Sequence, residues 1–291
     1  MKNPAGKLRR LQREEAVIRI IMRLATYTVI GVLGIIIFTI LRRGLPSLSW
    51  EMIFRTPQGG FYFGKEGGIL NAIAGSLYLA TGATLLAFVT GYPVALFMNS
   101  TLRRHKRFVN GFRFILDLLW GIPSIVYGAF GFSVMIFFRV QASLLAGILV
   151  VAVFVLPIMI RAMDEGMKNS PVGLMEASLS LGMTPTGFSF RILSRQCLPG
   201  IVTAVLLSFG RAIGDAASVL FTTGFTDYIP RSLAEPAATL PLSIFFQLTS
   251  PIPEVRERAY AAASVLTFII LVISILARLS SAKLNHNAIK N

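Results

Sequence analysis

LATYTVIGVLGIIIFTIL, residues 24–41, carries no charge and is fenced by Arg23 on one side and Arg42-Arg43 on the other. A hydrocarbon layer roughly 30 Å thick needs about 20 helical residues to cross it, so this run reads as a transmembrane helix. Five more runs follow, at Ile69–Met98, Phe114–Phe138, Ser143–Ile160, Ile201–Phe221 and Ala259–Leu276. The expectation is an all-α membrane protein with six transmembrane helices. The second run is too long to stand straight in a bilayer, and Gly91 with Pro93 marks the expected bend. Composition agrees, with 54% hydrophobic and 14% charged residues and a mean hydropathy of +0.70. A soluble domain averages about 25% charged residues.

The net charge of +15 raises nucleic acid as a partner, but the placement of the cations answers it. Nineteen of the 28 Lys and Arg fall in the N-terminal segment, the loops joining runs two to three and four to five, and the C-terminal tail. Eight fall on the other side, and Arg211 lies inside the fifth run. Cytoplasmic loops collect Lys and Arg, so both termini are expected in the cytoplasm of a multi-pass inner-membrane protein, and the charge is a topology signal rather than a nucleic-acid footprint. No cleavable signal peptide is expected, because the first apolar run exceeds an h-region and lacks an A-x-A-like site. Cys197 alone forms no intrachain disulfide, and with only His105 and His286 it leaves no thiolate or imidazole metal site.

The expected organisation is a cytoplasmic amphipathic segment over 1–23, a transmembrane domain over 24–280 and a cytoplasmic tail over 281–291. Leu8, Leu11, Ile18, Ile21 and Met22 fall among arginines at helical spacing, as in a helix lying on the membrane surface; a basic tail without structure is the plainer alternative. Small residues (Gly31, Gly34, Ala74, Gly75, Ala80, Gly82, Gly128, Gly131) suit close helix packing in lipid. The external loop 222–258 is proline-rich, and its apolar run Leu240–Leu248 reads as a re-entrant or interfacial turn.

Two constellations carry the functional reading. In the loop 161–198, Ser170-Pro171 and Thr184-Pro185 each start a short helix, with Gly182 as the elbow between them. Such a shape fits a cleft in another protein, or equally lies on lipid. In the fifth run, Arg211 and Asp215 stand four apart on one expected helical face and can pair. A mid-membrane charge costs at least about 2.5–3.5 kcal/mol and usually faces a bundle interior or a watery path. The pair is either a packing salt bridge or an oxyanion contact in a translocation path, with Asp215 holding the guanidinium between passages. Gly121-Ile122-Pro123-Ser124 adds a possible helix break whose free amides favour an anion, or a simple packing kink.

Glu176-Ala177, Gly182 and Ile192 resemble the EAA loop of binding-protein-dependent ABC importer permeases, with Ser194-Arg195 where that family carries Leu-Pro. Gly210-Arg211-Ala212-Ile213-Gly214-Asp215-Ala216 is similar to the Arg-Ala-Ile-Gly-Glu-Thr-Ala signature of the phosphate permeases of the PstA and PstC type, with Asp215 in place of Glu. Gly67-Gly68-Ile69, the Gly121–Gly128 stretch and Leu233-Ala234-Glu235-Pro236 with Leu240-Pro241-Leu242 extend the resemblance, the last towards the PstA type. The resemblance implies a type I (MetI-like) permease with cytoplasmic coupling helices. It further implies a heterodimer with a PstC-like permease, a PstB-like ATPase dimer docked on the loop, an external phosphate-binding protein, and phosphate as cargo. With no P-loop in this chain, no cofactor is expected on it, and ATP and Mg fall to the ATPase. Catalytic signatures such as G-x-S-x-G and H-E-x-x-H are absent as well, so a transport subunit is expected rather than an enzyme. The alternatives are a secondary anion carrier using Arg211 and Asp215 without ATP, and a membrane enzyme acting on a lipid phosphate.

Overall fold

The computed structural model describes residues 4–58, 67–168 and 170–285, with side chains described from Glu14 to Ser280 apart from those at 59–66, 169 and 172. The expectations on Leu8, Leu11 and His286, and on the cations at 1–13, 59–66 and 281–291, therefore fall outside the described side chains. Helices follow one another as α1 (Pro4–Gly44), α2 (Trp50–Phe54), α3 (Leu70–Asn99), α4 (Lys106–Gly121), α5 (Ser124–Phe138), α6 (Leu144–Lys168), α7 (Val172–Ser180), α8 (Pro185–Phe188), α9 (Ser194–Gln196), α10 (Leu198–Ile213), α11 (Leu240–Leu248) and α12 (Pro253–Asn285). Among the described residues the extended chain forms only an isolated bridge between Pro57 and Gly67. By length and composition α1, α3, α6 and α12 are long and apolar enough to cross a membrane. The bent pairs, α4 with α5 and the α8–α9 stretch with α10, bring the candidate spans to as many as six when each pair counts as one span.

The centre is built from α3, α6 and α10, with α12 packed on α10, α1 on α12, and α4 and α5 on α6. The reason lies in the face that α3 offers. Ala72, Ala80, Ala83, Ala87 and Ala95 are each at most 1% exposed and recur at helical spacing, giving a nearly smooth wall. In lipid, van der Waals packing rather than water expulsion holds helices together, so close backbone approach matters most. A Cβ on Gly82 would lie 2.7 Å from Ile148 Cδ1, and one on Gly91 3.0 Å from Ile160 Cγ1. Gly91 thus admits α6. Through Gly91 and Pro93 the chain stays helical, and α3 runs on to Asn99. Gly31 and Gly34 face open space instead, in keeping with an α1 whose apolar side chains are exposed all round.

The third and fourth spans reach further than their apolar runs because charges on them find one another. The Asp164 side chain is fully buried and accepts from Arg113 Nε and Nη2 at 2.8 Å each, from Asn99 Nδ2 at 2.9 Å and from Arg161 Nη1 at 3.0 Å. Arg161 Nε also reaches Asp117 Oδ1 at 2.6 Å. This cluster ties the end of α3, the middle of α4 and the end of α6, and it carries α6 past Ile160 to Lys168.

The fifth span departs most from expectation. The helix expected over Ile201–Phe221 ends at Ile213, and at about 1.5 Å per residue its 16 residues rise only about 24 Å. Beyond the cap residue Gly214, Asp215 accepts from the Ser218 amide at 2.9 Å and from the Ser218 hydroxyl. A short polar side chain that bonds nearby amides competes with helical geometry. The turns beyond it are buried, with Ser218, Val219, Thr222 and Thr223 fully so. Their backbone is met by its surroundings. Ser143 N, Leu145 N and Leu144 N, at the start of α6, donate to Thr222, Leu233 and Glu235 carbonyls at 2.8–3.0 Å, satisfying amides that a helix start leaves free. Asn71 donates to Thr226 O at 2.7 Å, and Leu240 N donates to Ser76 Oγ at 2.8 Å. Leu240–Leu248 is the helix α11, packed on α12 and α3.

Candidate functional site

The helix break, the end of α10 and the buried turn after it meet in one region. Between Gly121 and Ser124 the chain turns by 90°, with Pro123 extended (φ −58°, ψ 138°). Pro123 has no amide to donate and disfavours a helical residue before it, so α4 ends there and α5 starts afresh. One turn into α5, Gly128 lies so close to the 217–218 backbone that a Cβ would stand 2.8 Å from the Ser218 carbonyl oxygen. The preceding residue, Tyr127, meets Phe154 of α6 edge-on at 5.5 Å and donates its hydroxyl to Leu119 O of α4 at 2.8 Å.

Arg211 stands in the last turn of α10, where a helix C-terminus favours a cation. Its guanidinium carbon lies 5.1 Å from the centre of the Phe154 ring, a cation–π contact. The expected Arg211–Asp215 pair does not form. Asp215 lies beyond the helix end and its carboxylate is spent on Ser218, so the two are no longer on one helical face. Among the described residues Arg211 makes no ion pair, and its side chain is exposed in the single chain. A guanidinium seated on an aromatic face and free of any acid keeps its planar fork of donors open to an oxyanion. Phe154 and Ser218 carry no mark in the sequence, and Tyr127 enters only within the Gly121–Gly128 stretch. Aromatic and small polar residues in apolar runs carry no signal beyond packing until the fold brings them to Arg211 and Asp215.

The loop site is built as follows. Helix α7 ends at Gly182, whose φ of +81° is a conformation glycine adopts at little cost. Gly182 N donates to Leu179 O and Met183 N to Ser178 O, at 3.0 and 3.1 Å, the paired bonds of a Schellman ending. Ser170 does not cap α7, whose N-cap residue is Pro171 without a side-chain bond. Thr184 does cap α8, accepting from Gly187 N at 3.1 Å. Beyond α8 the helix widens to a π-type turn over Ser189–Leu193, which carries the half-buried Ile192. Tyr92 of α3 donates to Ser194 Oγ at 2.7 Å and meets Phe190 edge-on, so Ser194 is an anchor of the loop to the bundle. Glu176, Ala177 and Gly182 are exposed, and Leu181 between them is 88% exposed. Glu176, Ala177 and Gly182 therefore form one outward knob tipped by Leu181, while Ile192 faces inward. Among the described residues no group of His, Cys, Asp and Glu has the arrangement of a metal site.

A helical membrane bundle with an exposed elbow outside it and, among the described residues, an arginine without an ion pair beside two bent helix pairs is compatible with a transport permease. The family described as binding-protein-dependent transport system inner membrane component matches residues 91–286, and the chain belongs to that family. It is a multi-pass component of a transport system that depends on a binding protein. Its relatives narrow the placement to PstA-type permeases. The phosphate transport system permease protein PstA of Pasteurella multocida is 32% identical over 247 residues, covering 84% of this chain and 86% of that protein. PstA of Haemophilus influenzae is 32% identical over 248 residues, 84% of this chain and 85% of the relative. Among solved structures, the inward-facing MetNI methionine ABC transporter in its native crystal form aligns with a TM-score of 0.60 at 19% identity, over 74% of this chain and 95% of that one. An amino acid ABC transporter solved with histidines aligns with a TM-score of 0.54 at 20% identity. These two bear on the fold, which is the MetI-like one.

Proposed function

We propose that this chain is a membrane-spanning permease subunit of an ATP-driven inorganic phosphate importer and forms half of its translocation path with a PstC-like permease. The observation that carries the reading is the Arg211 guanidinium, unpaired, seated on Phe154 and facing outward from the single chain. A partner permease on that side would enclose it in a path where a tetrahedral oxyanion meets a fork of donors. Asp215 shapes the path indirectly, by folding the turn that packs on Gly128. Glu176, Ala177, Leu181 and Gly182 dock a PstB-like ATPase dimer, which holds ATP and Mg, while Ile192 and Ser194 fix the loop to the bundle. An external phosphate-binding protein delivers the cargo to the opposite face. The basic residues support this orientation, with both termini and the α7–α9 loop in the cytoplasm.

The test is phosphate uptake into vesicles holding the assembled complex. Arg211→Gln should abolish uptake while the ATPase still co-purifies, and Arg211→Lys, which keeps the charge but loses the fork, should retain a small fraction. Normal uptake by Arg211→Gln takes Arg211 out of the path. Uptake that persists on an ion gradient without the ATPase replaces the importer with a secondary carrier.

A further inference from the structure

A second concentration of positive charge lies away from Arg211, at the end of the bundle where α6 runs into the α7–α9 loop. There a cavity of about 180 Å³ opens between the end of α3, the start of α4 and the end of α6, lined among others by Asn99, Arg103, Lys106, Asn110, Arg113 and Lys168. Four of those six side chains are cations, and no carboxylate lines the cavity. Arg113 spends Nε and Nη2 on the buried Asp164, and Lys168 has only a loose ion pair with Glu165 at 3.9 Å. The Arg103 and Lys106 side chains carry no hydrogen bond or ion pair among the described residues.

Topology alone accounts for basic residues in a loop on this side, but not for their gathering round a concavity. Asp164 answers Arg113 and Glu165 stands loosely by Lys168, so the uncompensated excess rests on Arg103 and Lys106, and a cleft with an excess of one sign concentrates counter-ions. The start of α4 adds to the field. His105 offers no side-chain cap to it, so the first-turn amides beside Lys106 remain open, with the positive end of the helix dipole behind them. We propose that this cavity binds a phosphate-type oxyanion, the headgroup of an anionic phospholipid or free inorganic phosphate. Arg103, Lys106 and Lys168 supply the charge, and Asn110 a neutral donor. Asn99 and Arg113 also touch Asp164, so the occupant sits one side chain from the cluster that joins α3, α4 and α6. A filled cavity would thereby favour one packing of those helix ends and influence how the loop beyond Lys168 is held.

The experiment uses the full chain carrying Arg211→Gln, so that the proposed path contributes no phosphate binding. One arm places it in nanodiscs of phosphatidylcholine alone and titrates radioactive inorganic phosphate. The other replaces part of the lipid with phosphatidylglycerol, omits phosphate, and counts retained phosphatidylglycerol by native mass spectrometry. Saturable binding is expected in at least one arm, and which arm identifies the source. Arg103→Gln/Lys106→Gln should weaken it about tenfold or more, since each cation near a lipid phosphate contributes a comparable share. Arg104→Gln/Arg107→Gln removes the same charge from neighbours that do not line the cavity, and should leave binding unchanged. Should the first double variant fail to fold, Lys106→Gln alone, an exposed helix-start substitution, gives the readout with a smaller loss. No saturable binding in either arm overturns the proposal, and so does an equal loss in the two double variants.

Discussion

Replacing Asp164 by Asn would test the charge cluster that carries α6 beyond its apolar run. The carboxylate is fully buried and receives four hydrogen bonds of 2.8–3.0 Å, three of them from guanidinium groups. Breaking a buried ion pair by neutralising one partner costs about 3–5 kcal/mol, because the other charge is stranded. Here Arg113 and Arg161 keep 22% and 23% of their side-chain surface, so water relieves part of that cost. Arg161 also retains Asp117. The expected loss is therefore about 2–3 kcal/mol. Arg113→Met should cost a similar amount, and the double variant much less than the sum, with a coupling energy of about 1.5–3 kcal/mol. Unfolding in mixed micelles, titrated with a denaturing detergent, gives these energies. Trp120, on the same helix as Arg113, reports by fluorescence. A coupling below about 0.5 kcal/mol, within the range of independent sites, would refute the view that this cluster binds the three helix ends.

Gly75→Ala puts a Cβ onto the Ala238 carbonyl and should cost about 1–3 kcal/mol as overpacking, whereas Gly31→Ala, which faces open space, should be neutral or slightly stabilising; equal effects on the micelle unfolding midpoint would remove the distinction. Gly182→Ala forces an unfavourable left-handed residue, at about 1 kcal/mol, and with Leu181→Ala should lower ATPase co-purification and stimulated hydrolysis; unaltered values would move docking elsewhere. Asp215→Asn keeps an acceptor for the Ser218 amide and should retain more phosphate uptake than Arg211→Gln, while Asp215→Ala should lose about 1–2 kcal/mol of stability. If Asp215→Asn is as inactive as Arg211→Gln, the carboxylate charge itself acts in the path.

The spans were legible because the chemistry that marks them is local. A run such as Leu24–Leu41 has no reading except burial in lipid, and Gly121 with Pro123 signals the end of a helix from local preferences. Gly182 as the elbow of the loop and Thr184 as a cap follow from single-residue preferences in the same way. Long-range partners were not legible. That Gly91 packs against the Ile160 side chain is invisible in the sequence, where it stands simply beside Pro93. Arg211 and Asp215 look like a helical pair until the helix ends between them, because Gly-Asp-Ala-Ala-Ser within an apolar run has no periodicity that reveals a turn. Arg113 stands far along the chain from Arg161 and Asp164, with nothing in the sequence to link them. Only the packing of α4 on α6 shows them to be one cluster.

The buried turns after α10 bear on how the chain is made. Hydrocarbon offers no partner to a backbone amide, and each one left unsatisfied costs several kcal/mol. The stretch from Gly214 to Thr239 cannot enter lipid as an independent unit, since its partners are Asn71 of α3 and the first turn of α6, while Ser76 receives the first amide of α11. Both α3 and α6 precede it in the sequence. Insertion in sequence order would place them in the membrane before the stretch is made, ready to serve as its template. A circular permutant beginning at α10 would present the same residues with that template absent, and should be held or degraded at the insertion step even though every contact of the finished molecule remains available to it.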